Sequence, residues 1–175
     1  MKARSVALLA LLALGLMTGC GAQPVGTVAT ADATVEANRA YSIIDMQGIG
    51  PAYATKLKAA GLSNTSKFLA ATQDRKGRQD VAEQTGISYK LVLRWAQKAE
   101  LMRINGIGVK QADLLEACGV DSVKDLARRD AGNLTERIWA ANHVGTPFVK
   151  TNPSEATVAK WIQAAKELAQ SAIAE

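Results

Sequence analysis

Ile44-Asp45-Met46-Gln47-Gly48-Ile49-Gly50-Pro51 returns 58 residues later as Met102-Arg103-Ile104-Asn105-Gly106-Ile107-Gly108-Val109. Each copy has an apolar residue, one spacer and then Gly-Ile-Gly. The correspondence continues without a gap, with Ala54 over Ala112, Leu57 over Leu115, Ala59 over Ala117 and Gly61 over Gly119. After an insertion of about eight residues it resumes, placing Arg94-Trp95-Ala96-Gln97 over Lys160-Trp161-Ile162-Gln163. Two units of roughly 60 residues are small for independent folding, so the pattern predicts that they share one core.

Each unit reads as a run of short helices. Ile43, Ile44 and Met46 form an apolar turn that ends at Gly48. Pro51 opens the next helix, at the one position where a missing N–H costs nothing, and Gly61 closes it as a C-terminal glycine. A third helix begins near residues 63–65 with Phe68 and Leu69 inward, and a fourth runs from Gly77 to Gly86. Ser88 caps a longer one that carries Leu91, Val92, Trp95 and Leu101 at helical spacing. The second unit repeats the order, with Asp121 or Ser122 as a cap, Leu126 and Ile138 inward, and a last helix opened by Pro153-Ser154. That helix sets Val158, Trp161, Ile162, Ala165 and Leu168 on one face. Strand signals are missing, and an aromatic content of 5% with abundant Ala and Leu points the same way. The fold class expected is all-α.

The glycines of both copies have a physical role. A tight turn there has no room for a Cβ, and bare backbone leaves the N–H groups of the following helix pointing outward. Those donors, with the helix dipole, favour an anion such as a phosphate oxygen.

An apolar residue, a spacer and Gly-Ile-Gly between short helices resembles the helix-hairpin-helix motif, present here at Met46–Gly50 and at Ile104–Gly108. The resemblance implies a SAM-like helical bundle in which such turns grip a nucleic-acid backbone without reading its sequence. On it, Gly48, Ile49, Gly50 and Gly106, Ile107, Gly108 are the phosphate-binding candidates, joined by Lys56, Lys58 and Lys110. The isoleucine between the glycines packs inward. The paired arrangement, the Trp-bearing closing helices and the Glu100-Leu101-Met102-Arg103-Ile104 junction also resemble a bacterial family catalogued as domain of unknown function 4332. That likeness runs from Tyr41 to Leu168 and implies a tandem hairpin fold with no established activity.

The N-terminus carries a different message. Lys2 and Arg4 precede an apolar and small-residue run from Val6 to Met17, followed by Thr18-Gly19-Cys20. As a helix this run spans about 18 Å, short of a hydrocarbon core of about 30 Å. It therefore reads as a signal peptide over residues 1–19. Its end resembles the bacterial lipobox, with Met17 where Leu is usual, which implies lipidation of Cys20 and attachment to the membrane. Plain secretion with cleavage nearby, or an uncleaved anchor, are the other readings. Gly21 after the cysteine, rather than Asp, points to the outer membrane in a host that has one. Residues 20–38 hold the cysteine and a linker of small residues, read as a flexible tether of roughly 20–25 Å by random-coil scaling; a short helix at residues 32–37 is the alternative. The hairpin units then occupy residues 39–101 and 102–175.

Removing the signal leaves 19 basic and 16 acidic residues. The excess lies in residues 39–99, where ten basic residues face four acidic ones, whereas residues 100–145 hold six and seven. The first unit is thus the better phosphate binder on charge, helped by Arg75, Lys76 and Arg78, although solvated helix faces explain such residues equally well. Lys110 is near Gly108, but Asp113 and Glu116 work against it. His143 has no Cys or carboxylate at ligand spacing and reads as a loop or capping residue, so neither metal nor cofactor is expected. Cys118 takes the place of Ala60 and, with Trp95 and Trp161, reads as core. With no nucleophile–base pair or coupled acids, the chain reads as non-enzymatic. Two functions stay open: an envelope-anchored binder of double-stranded DNA, and an adaptor that holds an unknown envelope protein.

Overall fold

Helix ends in the computed structural model, which describes residues 40–171, fall where capping chemistry puts them. After a single 3-10 turn at Ile43–Asp45 come α1 (Pro51–Ala59), α2 (Thr65–Ala71), α3 (Arg75–Thr85) and α4 (Tyr89–Leu101). Then follow α5 (Val109–Ala117), α6 (Val123–Leu126), α7 (Ala131–His143) and α8 (Glu155–Ser171). Among the described residues there is no strand, only an isolated bridge between Ser42 and Asn64. The fold is all-α. The expected signal peptide, Cys20 and the tether lie outside the described residues.

Asn64, Asp74, Ser122 and Asp130 each accept a backbone N–H three residues on, which satisfies one orphan donor at the start of α2, α3, α6 and α7. Ser122, not Asp121, is therefore the cap of α6. Ser88 precedes α4 but makes no side-chain cap. α3 begins at Arg75, earlier than the position of Gly77 suggests, because Asp74 accepts from the Gly77 N–H at 2.6 Å. Gly77 is needed for another reason: a Cβ there would stand 2.3 Å from the Ala71 carbonyl oxygen. Arg78 clamps the same junction by donating to the Thr72 and Gln73 carbonyls.

Packing follows the element order. α4 rests on α2 and α3, α5 rests on α7, α8 rests on α6 and α7, and α4 on α6 joins the two halves. The buried side chains form one cluster that draws on both halves, from Ile43, Leu57, Phe68 and Trp95 to Leu115, Leu126, Ile138 and Trp161. Ile49 and Ile107 are both buried, and truncating either to Ala would cost about 2–5 kcal/mol. Ile44 departs from its expected place: it is exposed, because the 3-10 turn directs Ile43 and Met46 inward instead. Asn142, also buried, holds the loop before α8 by donating to the Val149 carbonyl and to Asn152 while accepting from the Val149 N–H.

Candidate functional site

The two Gly-Ile-Gly turns adopt one backbone geometry. Gly48 and Gly106 have φ of 89° and 86°, a region closed to most side chains. Each also lies under a tryptophan of its own half: a Cβ on Gly48 would sit 3.3 Å from Trp95 Nε1, and one on Gly106 would sit 2.9 Å from Trp161 Nε1. Tyr53 meets Trp95 edge-on with ring centroids 5.4 Å apart, which fixes that indole over the first turn. The second glycine of each pair is the helix N-cap in extended backbone, Gly50 at φ −76° and Gly108 at φ −93°. Their carbonyls accept from Ala54 and Ala112 at 2.9 Å. Helix geometry leaves the N–H groups of Ala52 and Tyr53 in α1, and of Val109, Lys110 and Gln111 in α5, without intrahelical acceptors.

What covers these ends differs. A Cβ on Gly50 meets nothing within 4 Å, so the start of α1 is open. A Cβ on Gly108 would stand 3.1 Å from the Tyr41 hydroxyl and 3.2 Å from Gln111 Oε1. Tyr41 is held in place by Thr65, whose Oγ1 accepts from the Tyr41 N–H at 3.0 Å and whose N–H donates to the Tyr41 carbonyl at 2.9 Å. The second hairpin therefore has more donors under a lid of side chains, and the first has fewer donors in the open.

The candidate lysines divide between the ends of their helices. Lys110 is exposed in the first turn of α5, beside its donors. Lys56 and Lys58 are exposed in the last turn of α1, roughly 9–12 Å along the axis from Gly50 at 1.5 Å per residue. The Lys56 ammonium lies instead near Gly86, where a Cβ would be 3.7 Å away, at the end of α3 where carbonyl dipoles favour a cation. Lys76 pairs with Asp80 at 2.7 Å, and Arg78 is committed to the α2–α3 turn.

The opposition expected from Asp113 and Glu116 is neutralised by groups the repeat pattern did not connect with them. Lys98, on α4 and only 4% exposed, places Nζ 2.8 Å from Asp113 Oδ1 and 2.6 Å from Glu116 Oε2. Arg94 Nε donates to Glu116 Oε1. Burial pushes the Glu116 carboxyl up, but hydrogen bonds from Lys98 and Arg94 and their positive charges outweigh it and hold the group below the ordinary glutamate range. One sequence signal was present, since Lys98 lies between Trp95 and Leu101 on the buried stripe of α4. Its partners are 15 and 18 residues away on another helix, beyond any helical period.

Beside this network α4 and α5 leave a cleft of about 420 Å³ whose walls include Lys90, Leu93, Arg94, Leu101, Ala112 and Val120. Elsewhere, His143 ends α7 with Nδ1 2.6 Å from the Trp139 carbonyl oxygen and its ring stacked on Trp139 at 4.0 Å. Trp139 and Val144 are exposed there, at 58% and 78%. Cys118 is buried, and burial pushes its thiol up against the pull of Arg137 and Arg129. Among the described residues no cluster of His, Cys, Asp and Glu is arranged to hold a metal ion, and no helix is long and apolar enough to cross a membrane.

Against this geometry, the model of a family described as a domain of unknown function (DUF4332) matches residues 47–168, from the first hairpin into the last helix. No curated protein and no solved structure matches the chain.

Proposed function

The chain belongs to the DUF4332 family, and from that premise we propose an envelope-anchored, non-enzymatic binding protein whose first hairpin grips the backbone of duplex DNA without reading sequence. In this reading Cys20 carries the lipid that fixes the protein to the membrane, the outer one where the host has two. The open N-terminus of α1 carries the argument. Gly50, Pro51 and Ala52 are exposed, a Cβ at Gly50 would meet nothing within 4 Å, and the first turn of α1 holds no acidic residue. A phosphate oxygen seated there would accept from the Ala52 and Tyr53 N–H groups and gain from the helix dipole. Lys58, two turns on, then reaches a neighbouring phosphate. The second hairpin, under Tyr41 and Gln111, contributes less.

The test is duplex binding by the chain with Cys20→Ser, set beside lipid labelling of the wild type. With about two to four phosphates engaged, the slope of log K against log salt is about −2 to −4. Gly50→Asp supplies a carboxylate that satisfies the same donors, so stability holds or rises by a few tenths of a kcal/mol. Affinity falls by about 1 kcal/mol or more, from the charge set against the phosphate. Wild-type affinity in Gly50→Asp sinks the hairpin as the phosphate site, and a wild-type chain without lipid sinks the anchor.

One observation favours the adaptor reading: Trp139 and Val144 stand exposed together at the end of α7, while Arg94, Lys98, Lys76 and Arg78 are engaged within the fold. Failure to bind duplex even at low salt, with Trp139→Ala abolishing capture of an envelope protein, would put that reading first.

A further inference from the structure

The cleft between α4 and α5 is built unlike the hairpins. Its volume of about 420 Å³ falls within the range of small-molecule sites, about 300–1,000 Å³. Leu93, Leu101, Ala112 and Val120 give it an apolar lining, with Leu101, Ala112 and Val120 themselves buried. Its polar groups are three cations, Lys90, Arg94 and Lys98, against two carboxylates, Glu116 and Asp121, with the Gln97 amide beside them. Both oxygens of Glu116 are already taken, Oε1 by Arg94 and Oε2 by Lys98. The donors are not used up. An ammonium has three N–H bonds and a guanidinium five, and among the described residues Lys98 spends two and Arg94 one. Lys90, one turn before Arg94 on the same face, has no ion pair or hydrogen bond among the described residues. Asp121 and Gln97 aside, the spare capacity of this lining is therefore donor capacity on cations, part of it on a lysine that is only 4% exposed.

We infer that this cleft binds an amphiphilic anion, a carboxylate or phosphate monoester carried on an apolar chain. The apolar chain lies along Leu93, Leu101 and Ala112, and the anionic group takes the free N–H bonds of Arg94, Lys98 and Lys90. Of the two carboxylates in the lining, Glu116 is saturated and only Asp121 is left, so a cationic head would meet three positive groups against one carboxylate unpaired among the described residues. The inference is independent of the DNA reading, since it uses neither hairpin.

The experiment titrates the full chain carrying Cys20→Ser with laurate, dodecyl phosphate, dodecyltrimethylammonium and inorganic phosphate, each below any micelle-forming concentration. Binding is read by calorimetry and located by hydrogen exchange. Laurate and dodecyl phosphate should bind and slow exchange in α4 and α5, and the tighter of the two identifies the head group. Dodecyltrimethylammonium should bind at least tenfold more weakly, and inorganic phosphate alone should give no measurable saturation. Lys90→Gln, at an exposed residue without partners, should weaken the anions several-fold with the melting temperature unchanged, and Arg94→Gln should weaken them tenfold or more. Equal binding of the cationic amphiphile, binding of inorganic phosphate as tight as dodecyl phosphate, wild-type affinity in Lys90→Gln, or protection outside α4 and α5 would each overturn the assignment, as would no binding of either anion.

Discussion

Replacing Lys98 by Met tests how much the join between the two halves depends on a buried charge. The methionine is close to lysine in length and leaves the α4 stripe apolar, so packing loss is small. The electrostatic loss is not. Asp113 is 4% exposed and has no partner but Lys98 among the described residues, so the substitution strands a carboxylate in the core. Glu116 loses one of two partners and keeps Arg94 at the surface. Breaking a buried pair by removing one member costs about 3–5 kcal/mol, a large share of a total stability of about 5–15 kcal/mol. For a domain of this size that lowers the melting temperature by roughly 10–20 °C. The companion variant Lys98→Met/Asp113→Leu removes the stranded charge and fills the space, and buried pairs replaced in this way are often neutral in stability. It should recover more than half of the loss, giving a coupling energy of a kcal/mol or more in the double-mutant cycle. Thermal and urea unfolding of the four proteins decide it. If Lys98→Met melts within a few degrees of wild type, or the double variant loses the sum of the two single losses, the pair is not a buried unit.

The same network sets the acid limb. Glu116 is held below the ordinary glutamate range in the fold, so its contribution is full above its unfolded titration and is lost as pH falls through its folded value; Glu116→Gln should flatten stability against pH below about pH 5, and an unchanged acid limb would contradict this. Gly48→Ala and Gly106→Ala both force a side chain to positive φ and should each lose about 1–2 kcal/mol from the backbone alone. Gly106→Ala should lose more, because its Cβ comes within 2.9 Å of Trp161 Nε1, and the reverse order in chemical denaturation would count against the packing described. Cys118 in the Cys20→Ser chain should react with a thiol reagent far more slowly when folded than when unfolded, since burial both blocks it and raises its titration; equal rates would refute that. Residues 39–101 expressed alone should give no sharp thermal transition, because Lys98 is left without Asp113 and Glu116, and a cooperative melt with dispersed amide signals would show that the first half folds by itself.

Most of the helix framework was legible in the sequence, and the reasons are local. Pro51 at a helix start and Gly61 and Gly86 at helix ends state their positions through backbone chemistry that needs no neighbour, whereas Asp121 and Ser122 were equal candidates for the cap of α6, and it is the Ser122 hydroxyl that accepts from the Asp125 N–H. Gly77 reads only as the start of a helix, because the contact that requires a glycine there comes from the Ala71 carbonyl of another helix. The exposure of Ile44 was missed for a similar reason, since a 3-10 turn and an α-turn send the same residue to different sides. At the candidate site, the hairpin glycines announced themselves, whereas their coverings did not. Tyr41 stands 67 positions before Gly108, and nothing in either stretch indicates that a phenol closes the second turn. Charge counting over residues 39–99 also overstated the free excess, because it treated Arg94 and Lys98 as unpaired charges when both face carboxylates of α5.

Those ion pairs bear on how the surroundings of the two hairpins differ. Where the chain repeats a sequence pattern, each turn adopts the same backbone geometry, so any difference in ligand affinity must come from what is packed against it or from the donors the first helical residue supplies. At Gly50 nothing is, and the cost is a proline that removes one donor. At Gly108 the donors are complete, but Tyr41 and Gln111 occupy the approach, and the carboxylates one turn on are neutralised from α4 instead of repelling an anion. The acidic composition of residues 100–145 is therefore a poor guide to the field at the second hairpin: Asp113 and Glu116 look outward in a charge count and inward in the fold. A substitution at Tyr41 changes access to the second turn without changing its charge, whereas one at Lys98 changes the charge beside it and the stability together. Access and field are thus separable at this hairpin, with steric closure resting on Tyr41 and electrostatic neutrality resting on Lys98 and Arg94.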